Sequence, residues 1–379
     1  MRPEGLEPPR VAPPAPKAGA SANSATVAYP REIYNASGGR VDGLRGSIYF
    51  DAVPLVLALF LLLLTACSGP FPQSVFAPRS DFSSDLDGLY KNIFWWAVGV
   101  FVIVETLLLI AIARFRARRG APAPKPVHGH TALEIGWTLA PALILVFIAV
   151  PTMREIFATA GHAPEGALRV EVIGHQWWWE YRYPTLNISA YNELHLPVGT
   201  PIQVDLTSAD VIHSFWVPRL GGKRDLIQGR TNRIAFRADS IGEYWGQCAE
   251  FCGASHANMR LRVVVQADPA FQGWVDQQRA APATPAKGSP AEAGQQVFRR
   301  SACIGCHTIA GVAQGKVGPD LSHVGSRATI AGALFPNTTE TLHRWIMNAP
   351  SLKPGALMPP QNLSPQDLDA VIAYLQSLK

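Results

Sequence analysis

Two thiols, an imidazole and a thioether lie close together in the second half of the chain. Residues 247–259 contain Cys248, Cys252, His256 and Met259. Cys and Met are soft ligands, and His binds copper and zinc alike. A structural zinc site uses Cys and His but has little use for Met. Thiolates with His and a weak Met ligand indicate copper in an electron-transfer site, and two thiolates this close could bridge a pair of copper ions.

Such a site needs one more ligand from elsewhere in the chain. His213, within residues 210–215, is the best candidate. The alternative is a disulfide between Cys248 and Cys252 in an exported protein, but a disulfide explains neither His256 nor Met259.

A second chemical motif lies near the C-terminus, where Cys303, Cys306 and His307 have the C-x-x-C-H spacing of covalent c-type haem attachment. Two thioethers would fix the haem vinyl groups, and the adjacent His is placed to ligate iron. A redox dithiol and half of a zinc site are the alternatives. Neither accounts for the segments 318–321 and 355–360 that follow.

The composition predicts that membrane segments accompany these motifs. The chain has 379 residues, of which 48% are hydrophobic and only 16% charged. Apolar segments at 93–113 and 133–150 are each near the ~20 residues that a membrane-spanning helix needs. The formal net charge of +5 is spread along the chain, with no basic face that would indicate nucleic acid binding.

The loop between the two apolar segments carries four arginines and a lysine, with no acid before Glu134. By the positive-inside rule this loop is cytoplasmic. Both ends of the helical hairpin, and with them the copper loop, are then expected outside.

The N-terminal region predicts export. Residues 1 to about 45 are rich in Pro, Ala, Gly and Ser, which indicates either a disordered tail or a segment outside the native protein, and we favour the second interpretation. Arg40 and Arg45 precede the apolar run 53–64, as in a signal peptide. Residues 64–67 resemble a bacterial lipobox, which implies cleavage before Cys67 and lipid attachment to it. The alternative is an ordinary first membrane helix with an incidental Cys.

From about residue 167 the pattern changes to strands. Segments 168–173, 202–206 and 260–265 alternate between apolar and polar residues. Several short strands with Gly/Pro turns indicate a Greek-key sandwich. Residues 268–290 are interpreted as a linker that is extended where Pro-rich. Beyond it, helices are expected around 293–298 and 365–378.

The loop at 247–259 resembles the binuclear copper (CuA) loop of cytochrome c oxidase subunit II, and the resemblance covers most of the chain after residue 67. It implies a cupredoxin fold in which Cys248 and Cys252 bridge both coppers. It further implies that His213 and Met259 complete one copper, and that His256 and the backbone carbonyl of Glu250 complete the other. The Glu250 side chain would reach a magnesium ion at the interface with subunit I.

The last segment is similar to class I cytochrome c, with 355–360 as the loop of the axial methionine. The resemblance implies Met358 as the second haem ligand, and His/Met ligation would raise the reduction potential. Met347 competes for this role, but it lies in an apparent helix where packing in a core is expected.

Two further residues match the same family. The aromatic run at 174–183 could simply pack a core or an interface. It also resembles the family's aromatic patch beside the copper site, in which the first Trp, here Trp177, receives the electron. Glu134 matches the glutamate at the entrance of the K proton pathway, and otherwise is an interfacial acid stabilised by the helix dipole. Glu105, inside an apolar segment, has no assigned role.

The sequence thus predicts a multidomain chain: a two-helix transmembrane hairpin, an all-β cupredoxin Greek-key sandwich and an all-α class I cytochrome c domain. The boundaries are 1–66 signal peptide and extension, 67–88 lipidated segment, 89–155 hairpin, 160–267 cupredoxin CuA domain, 268–290 linker and 291–379 cytochrome c domain. Each of the five cysteines has a role: one for lipid, two for copper and two for haem c.

The resemblance implies subunit II of a caa3-type oxidase, which passes electrons from cytochrome c through haem c and CuA to haem a in subunit I, for oxygen reduction coupled to proton pumping. Subunit III, another upstream donor and membrane lipid are further expected partners. The expected location is the bacterial inner membrane, with copper and haem on the periplasmic side. The alternatives are a CuA-containing nitric oxide reductase subunit and a membrane-held copper carrier, and the haem segment and aromatic run argue against the carrier.

Overall fold

The computed structural model describes residues 54, 58, 61, 62, 69, 71–116, 129–160 and 163–379. The expected N-terminal extension, almost all of the signal peptide and the lipid site at Cys67 therefore lie outside the described residues. So does the loop at 117–128, which carries most of the basic residues behind the positive-inside prediction.

Two long apolar helices open the described chain: α1 (Asp81–Arg114) and α2 (Thr131–Thr159). Their most apolar windows have mean hydropathies of 2.5 and 2.1, and none of the residues in these windows is buried. The rings of Trp96 and Phe147 stack between the two helices at 5.6 Å. The predicted apolar segments lie inside these helices, and both helices are longer than the predicted spans.

The start of α1 departs from the expected boundary at residue 89. Ser80 caps the helix with its side chain, so helix begins at Asp81, inside the segment assigned to the N-terminal region. Phe82 is buried in the core of the sandwich, and the Ser80 hydroxyl donates to the Leu220 carbonyl at 2.6 Å. A 34-residue helix is about 51 Å long, well beyond a ~30 Å hydrocarbon core. Its outer end is therefore free to anchor the β-domain.

Ten strands form a sandwich of two five-stranded sheets. The first sheet has the order β3-β2-β1-β5-β8 and the second the order β4-β10-β9-β6-β7. The strands are β1 (Leu168–His175), β2 (Trp178–Tyr183), β3 (Ile188–Tyr191), β4 (Glu193–Pro197), β5 (Pro201–Ser208), β6 (His213–Trp216), β7 (Arg224–Leu226), β8 (Asn232–Arg237), β9 (Gly242–Cys248) and β10 (Arg260–Gln266). The three segments predicted from alternation lie in β1, β5 and β10.

Both sheets are mixed, because β1 pairs in parallel with β5 and β4 pairs in parallel with β10. Between the sheets lies one apolar core that includes Trp179, Tyr181 and Leu206, all fully buried. The sandwich confirms the predicted all-β fold, and its rigid sheets hold the ends of β6 and β9 side by side.

The expected linker is shorter than predicted. Residues 268–279 form a helix, α3 (Asp268–Arg279), that packs on the sandwich through Phe271 and Val275. These two residues are four apart and so share one helix face. Arg279 then donates to the Leu186 carbonyl at 2.8 Å. Only residues 280–289 connect the domains without helix or strand.

The last domain has its own apolar core, formed by Val297, Phe298, Tyr374 and their neighbours. Its helices are α4 (Pro290–Arg300), α5 (Cys303–Cys306), α6 (Thr339–Leu352) and α7 (Pro365–Ser377), and it has short paired strands β11 (Thr308–Ile309) with β12 (Ala313–Gln314) and β13 (Thr329–Ile330) with β14 (Phe335–Pro336). Gly294 lets α4 approach α7 closely, since a Cβ there would lie 1.9 Å from the Ala370 carbonyl oxygen.

Candidate metal and haem sites

The predicted copper ligands meet at one end of the sandwich. His213, Cys248 and Cys252 are buried, and their ligand atoms lie within 4.8 Å of one another. The two sulfurs are 3.8 Å apart, so they do not form the alternative disulfide. The Met259 sulfur lies 3.8 Å and the His256 Nδ1 3.6 Å from the Cys252 sulfur.

The fold brings these residues together in two ways. The loop from Cys248 to Met259 joins β9 to β10 and is closed by a hydrogen bond from the Cys248 amide to the Met259 carbonyl at 2.9 Å. His213 comes from β6, which pairs with β9 so that Phe215 lies opposite Cys248. Gly174 on β1 leaves space for the His213 ring, because a Cβ there would lie 2.8 Å from it.

The orientation of His213 is set by Asp210. The Asp210 carboxylate lies 2.8 Å from the His213 Nε2, so Nδ1 faces Cys248 at 3.9 Å. The same carboxylate accepts a hydrogen bond from the main-chain N–H of Gln176 at 2.7 Å. A carboxylate behind a histidine fixes the ring and increases its basicity as a ligand.

The pKa values of the two thiols are shifted in opposite directions, downward for Cys248 and upward for Cys252. Hydrogen bonding with Cys252 lowers the pKa of Cys248, and the contact with His213 lowers it further, although burial opposes both effects. The thiolate is the form that binds metal. The backbone carbonyl of Glu250 lies 3.2 Å from the Cys248 sulfur, while the Glu250 side chain is exposed.

This set of two thiols, two imidazoles, a thioether and a carbonyl fits a copper pair better than zinc, which has little use for the thioether. The structure therefore brings together all six predicted donors. His213 is separated from the rest by 35 residues in sequence.

A cavity in the last domain is lined by the haem-attachment motif. Cys303, Cys306 and His307 line it, together with Met358 and apolar side chains such as Leu342 and Ile346. Met347, the competing ligand, is 39% exposed and does not line the cavity. Its exposure also means that the expected core role was wrong.

His307 is held ready to ligate. Its Nδ1 lies 2.8 Å from the Pro319 carbonyl, which leaves Nε2 unengaged by that contact. Burial lowers the pKa of His307, which favours the neutral, metal-binding ring. Gly318 makes room for the ring, since a Cβ there would lie 2.6 Å from the His307 Cε1. The residues present fit a c-type haem.

Trp177 lies between the two sites. Its indole Nε1 donates to the Cys252 carbonyl at 3.1 Å, and Gln176 Nε2 donates to the same oxygen at 2.7 Å. Trp177 also lines the haem cavity, as do Gln176 and Trp178. Only 9% of Trp177 is exposed, because the last domain covers it. One aromatic side chain therefore touches both the metal loop and the haem pocket.

Glu134 lies apart from these sites. It occupies the first turn of α2 and is exposed, with its carboxylate beside Gly129. Glu105 lies within α1 and is partly buried.

Sequence reasoning missed four residues that organise the site: Asp210 and Gln176, described above, Lys353, whose Nζ donates to the Trp177 carbonyl, and Glu193, whose carboxylate accepts from Thr329. Asp210 lies three residues before His213, a spacing that could have indicated a partner for the ring. Lys353 lies five residues before Met358, but a single lysine in a loop carries no periodic signal.

Family profiles match three consecutive parts of the chain. Cytochrome C oxidase subunit II, transmembrane domain, matches residues 76–154; cytochrome C oxidase subunit II, periplasmic domain, matches 185–267; and cytochrome c matches 291–379.

The relatives agree with these profiles. Cytochrome c oxidase subunit 2 of Alkalihalophilus pseudofirmus is 37% identical over 333 residues, which is 86% of this chain and 96% of that protein. The Bacillus subtilis protein of the same name is 32% identical, over 86% of this chain and 97% of that one. A crystal structure of the periplasmic domain of subunit II of cytochrome oxidase from Bradyrhizobium japonicum is 36% identical over 31% of this chain and 96% of that one, with a TM-score of 0.30.

The profiles and relatives together span the hairpin, the sandwich and the haem-motif domain. The α1–α2 hairpin is therefore the membrane part of the protein, and electron transfer is the role that its two outer domains serve. The chain belongs to the cytochrome c oxidase subunit II family of oxidoreductase subunits and carries a cytochrome c domain at its C-terminal end.

Proposed function

We propose that this chain is subunit II of a caa3-type oxidase. It receives electrons from cytochrome c or another external donor at haem c, passes them to CuA, and delivers them to haem a in subunit I for oxygen reduction coupled to proton pumping. The observation that carries this proposal is the position of Trp177, which lines the haem cavity and donates a hydrogen bond to the carbonyl of the copper-loop residue Cys252.

The copper pair would supply a one-electron carrier between haem c and subunit I. Cys248 and Cys252 would hold both ions, His213 and Met259 would help to hold one of them, and His256 and the Glu250 carbonyl would help to hold the other. The support is their geometry: five donors lie on the loop between the paired strands β9 and β10, and the sixth, His213, comes from β6 and is oriented by Asp210. Fixed ligands keep reorganisation between redox states small.

The haem would be held by thioethers to Cys303 and Cys306, with His307 and Met358 as axial ligands. His307 is presented by its contact with the Pro319 carbonyl, and Met358 lies on the loop that follows α6. A His/Met pair would raise the haem potential.

Trp177 has a different task from the one expected of an exposed residue. With the cytochrome domain over it, the side chain is not open to a soluble donor. An external donor would instead reduce haem c, and Trp177 would lie on the internal path from haem to copper.

Roles for three further residues and a cellular location complete the proposal. The Glu134 carboxylate at the start of α2 would stand at the entrance of the K proton pathway, and the exposed Glu250 side chain would reach magnesium at the interface with subunit I. Cys67 would carry the lipid anchor. The copper and haem domains would lie on the periplasmic side of the bacterial inner membrane, with subunit III as an additional partner.

The test is metal and haem analysis of the purified full-length protein, with near-infrared absorption and electron paramagnetic resonance. We expect about two coppers that share one unpaired electron, and about one haem c, per chain. One copper, or zinc in its place, would overturn the binuclear assignment. A copper content lost to a mild chelator would favour the copper-carrier alternative.

A further inference from the structure

Lys353 is buried where the cytochrome domain meets the sandwich. Only 4% of the residue is exposed, and its Nζ donates to the Trp177 carbonyl at 2.6 Å and to the Ala331 carbonyl at 2.8 Å. Within the described part of the chain it makes no ion pair with a carboxylate. A buried amine is costly unless it is hydrogen-bonded. Its two carbonyl partners therefore define a specific contact, and one of them belongs to the other domain.

Glu193 makes the reverse contact from the sandwich. It lies at the start of β4, is 4% exposed, and accepts hydrogen bonds from the Thr329 amide at 2.8 Å and the Thr329 hydroxyl at 2.7 Å. The Ala328 amide adds a longer contact at 3.3 Å. Arg262 lies 3.3 Å from the Glu193 carboxylate and balances its charge. The sandwich thus supplies the cation beside the Glu193 carboxylate, and the cytochrome domain supplies its hydrogen-bond donors.

The surfaces between these two points fit closely. The Ser255 hydroxyl donates to the Pro354 carbonyl at 2.5 Å, and the Arg260 amide donates to the Gly332 carbonyl at 3.2 Å. Gly355 has a φ of +83°, and a Cβ there would lie 2.5 Å from the Trp177 ring. The loop that carries Met358 therefore rests directly on Trp177.

We propose that Lys353 and Glu193, with its partner Thr329, form a two-point docking latch that fixes the cytochrome domain on the copper domain. They are positioning residues: Lys353 and Thr329 line part of the haem cavity wall, but none of the three is a copper donor or a haem-attachment residue, and their hydrogen bonds join one domain to the other. This inference rests on the proposed function, in which haem and copper exchange electrons.

The latch changes how the electron would move. Residues 280–289 alone would keep the haem domain near copper at a millimolar effective concentration and leave it to search for the productive orientation. The latch replaces this search by one geometry. Lys353 binds the main-chain carbonyl of Trp177, and the Trp177 indole donates to the Cys252 carbonyl. Trp177 is therefore fixed both to the cytochrome domain and to the copper loop.

The experiment separates docking from tethering. A recognition site for a sequence-specific protease is placed within residues 281–286, which are outside helix and strand, in the membrane-extracted full-length protein. After cleavage, size-exclusion chromatography follows haem absorbance. We compare the parent chain with Lys353→Met and Thr329→Val, and use Lys379→Met, an exposed lysine at the C-terminus, as the matched control.

We expect the cleaved parent and the Lys379→Met variant to retain the haem fragment, and Lys353→Met to release it about tenfold more readily, because two hydrogen bonds from the buried amine to main-chain carbonyls are lost. Thr329→Val should release it to a smaller extent. Prompt release from the cleaved parent would overturn the proposal, as would retention by Lys353→Met equal to that of the control.

A second measurement gives a readout that misfolding would not imitate. In the uncleaved chain, Lys353→Met should slow haem-to-copper electron transfer severalfold, while the haem spectrum and the copper resonance stay unchanged. An unchanged rate would contradict the latch. The release assay needs no copper, so its result stands apart from that of the metal analysis that tests the proposed function.

Discussion

The indole nitrogen of Trp177 donates a hydrogen bond to the backbone carbonyl of Cys252 at 3.1 Å, across 75 residues of sequence. The other side of Trp177 forms part of the wall of the haem cavity. Trp177 therefore contacts both the copper loop and the haem pocket.

Replacing Trp177 by Phe removes this hydrogen bond and retains an aromatic ring. We expect haem-to-copper electron transfer to slow severalfold, and the free energy of unfolding to fall by about 1 kcal/mol. Flash-induced kinetics on the full-length protein measure the rate. Trp178→Phe is the control, since the Trp178 ring stacks on His175, whereas the hydrogen bond to the Cys252 carbonyl comes from Trp177. Equal slowing in both variants would contradict a special role for Trp177.

Asp210→Asn tests the orientation of His213. The amide keeps the shape but loses the charge that faces Nε2, so copper affinity should fall by about 10–100-fold. Copper retained against a competing chelator gives the affinity. Asp225→Asn changes an exposed carboxylate elsewhere on the sandwich and should leave copper binding unchanged. If both variants retained copper equally, Asp210 would have no role in the site.

Gly318→Ala tests the presentation of His307. The added methyl group would overlap the imidazole, so we expect displacement of the ring, weaker axial ligation and a loss of about 1–3 kcal/mol of stability. Haem absorbance and the reduction potential of haem c report the ligation. Gly305→Ala is the control within the same motif, because no atom lies within 4 Å of its added Cβ. Normal ligation in Gly318→Ala would refute the steric argument.

Glu180 predicts a pH dependence of stability. Burial raises its pKa, but hydrogen bonds from His175 and Arg182 outweigh burial, and the pKa lies below the model-peptide value of 4.5. A carboxyl whose folded pKa is depressed stabilises the fold above its unfolded pKa, and this contribution is lost as the pH falls below it. Glu180→Gln should therefore lower the melting temperature by about 2–4 °C at pH 7.

The difference between the parent and Glu180→Gln should shrink as the pH falls below 4.5. Melting curves across this range measure it. Glu165→Gln, at an exposed position before β1, should show no such difference at any pH. A Glu180→Gln difference that stayed constant with pH would exclude the ionised carboxylate as its cause.

Much of the fold could be predicted because it is written in short-range patterns. The apolar runs within α1 and α2 and the alternation in β1, β5 and β10 are periodic, and periodicity reports local structure directly. Helix α3 was not predicted because its apolar face consists of few residues in a segment that otherwise looks like a Pro-rich linker. The early start of α1 was not predicted because it depends on one cap at Ser80 and on burial of Phe82 in another domain.

The sequence by itself determined the chemistry of the two centres. Five of the six copper donors lie within residues 248–259, and the haem cysteines and His307 lie within five residues, so their proximity needs only a turn or a short loop. The tertiary structure alone decided what surrounds them. Trp177 against Cys252, and Lys353 and Glu193 across the domain contact, are single residues whose partners lie far away in the chain, whereas Asp210 meets His213 through the local bend before β6. Such residues have no periodic signature: Asp210 and Trp177 reach their partners through the folding of the sandwich, and the contacts of Lys353 and Glu193 form only because two independently packed cores dock against each other.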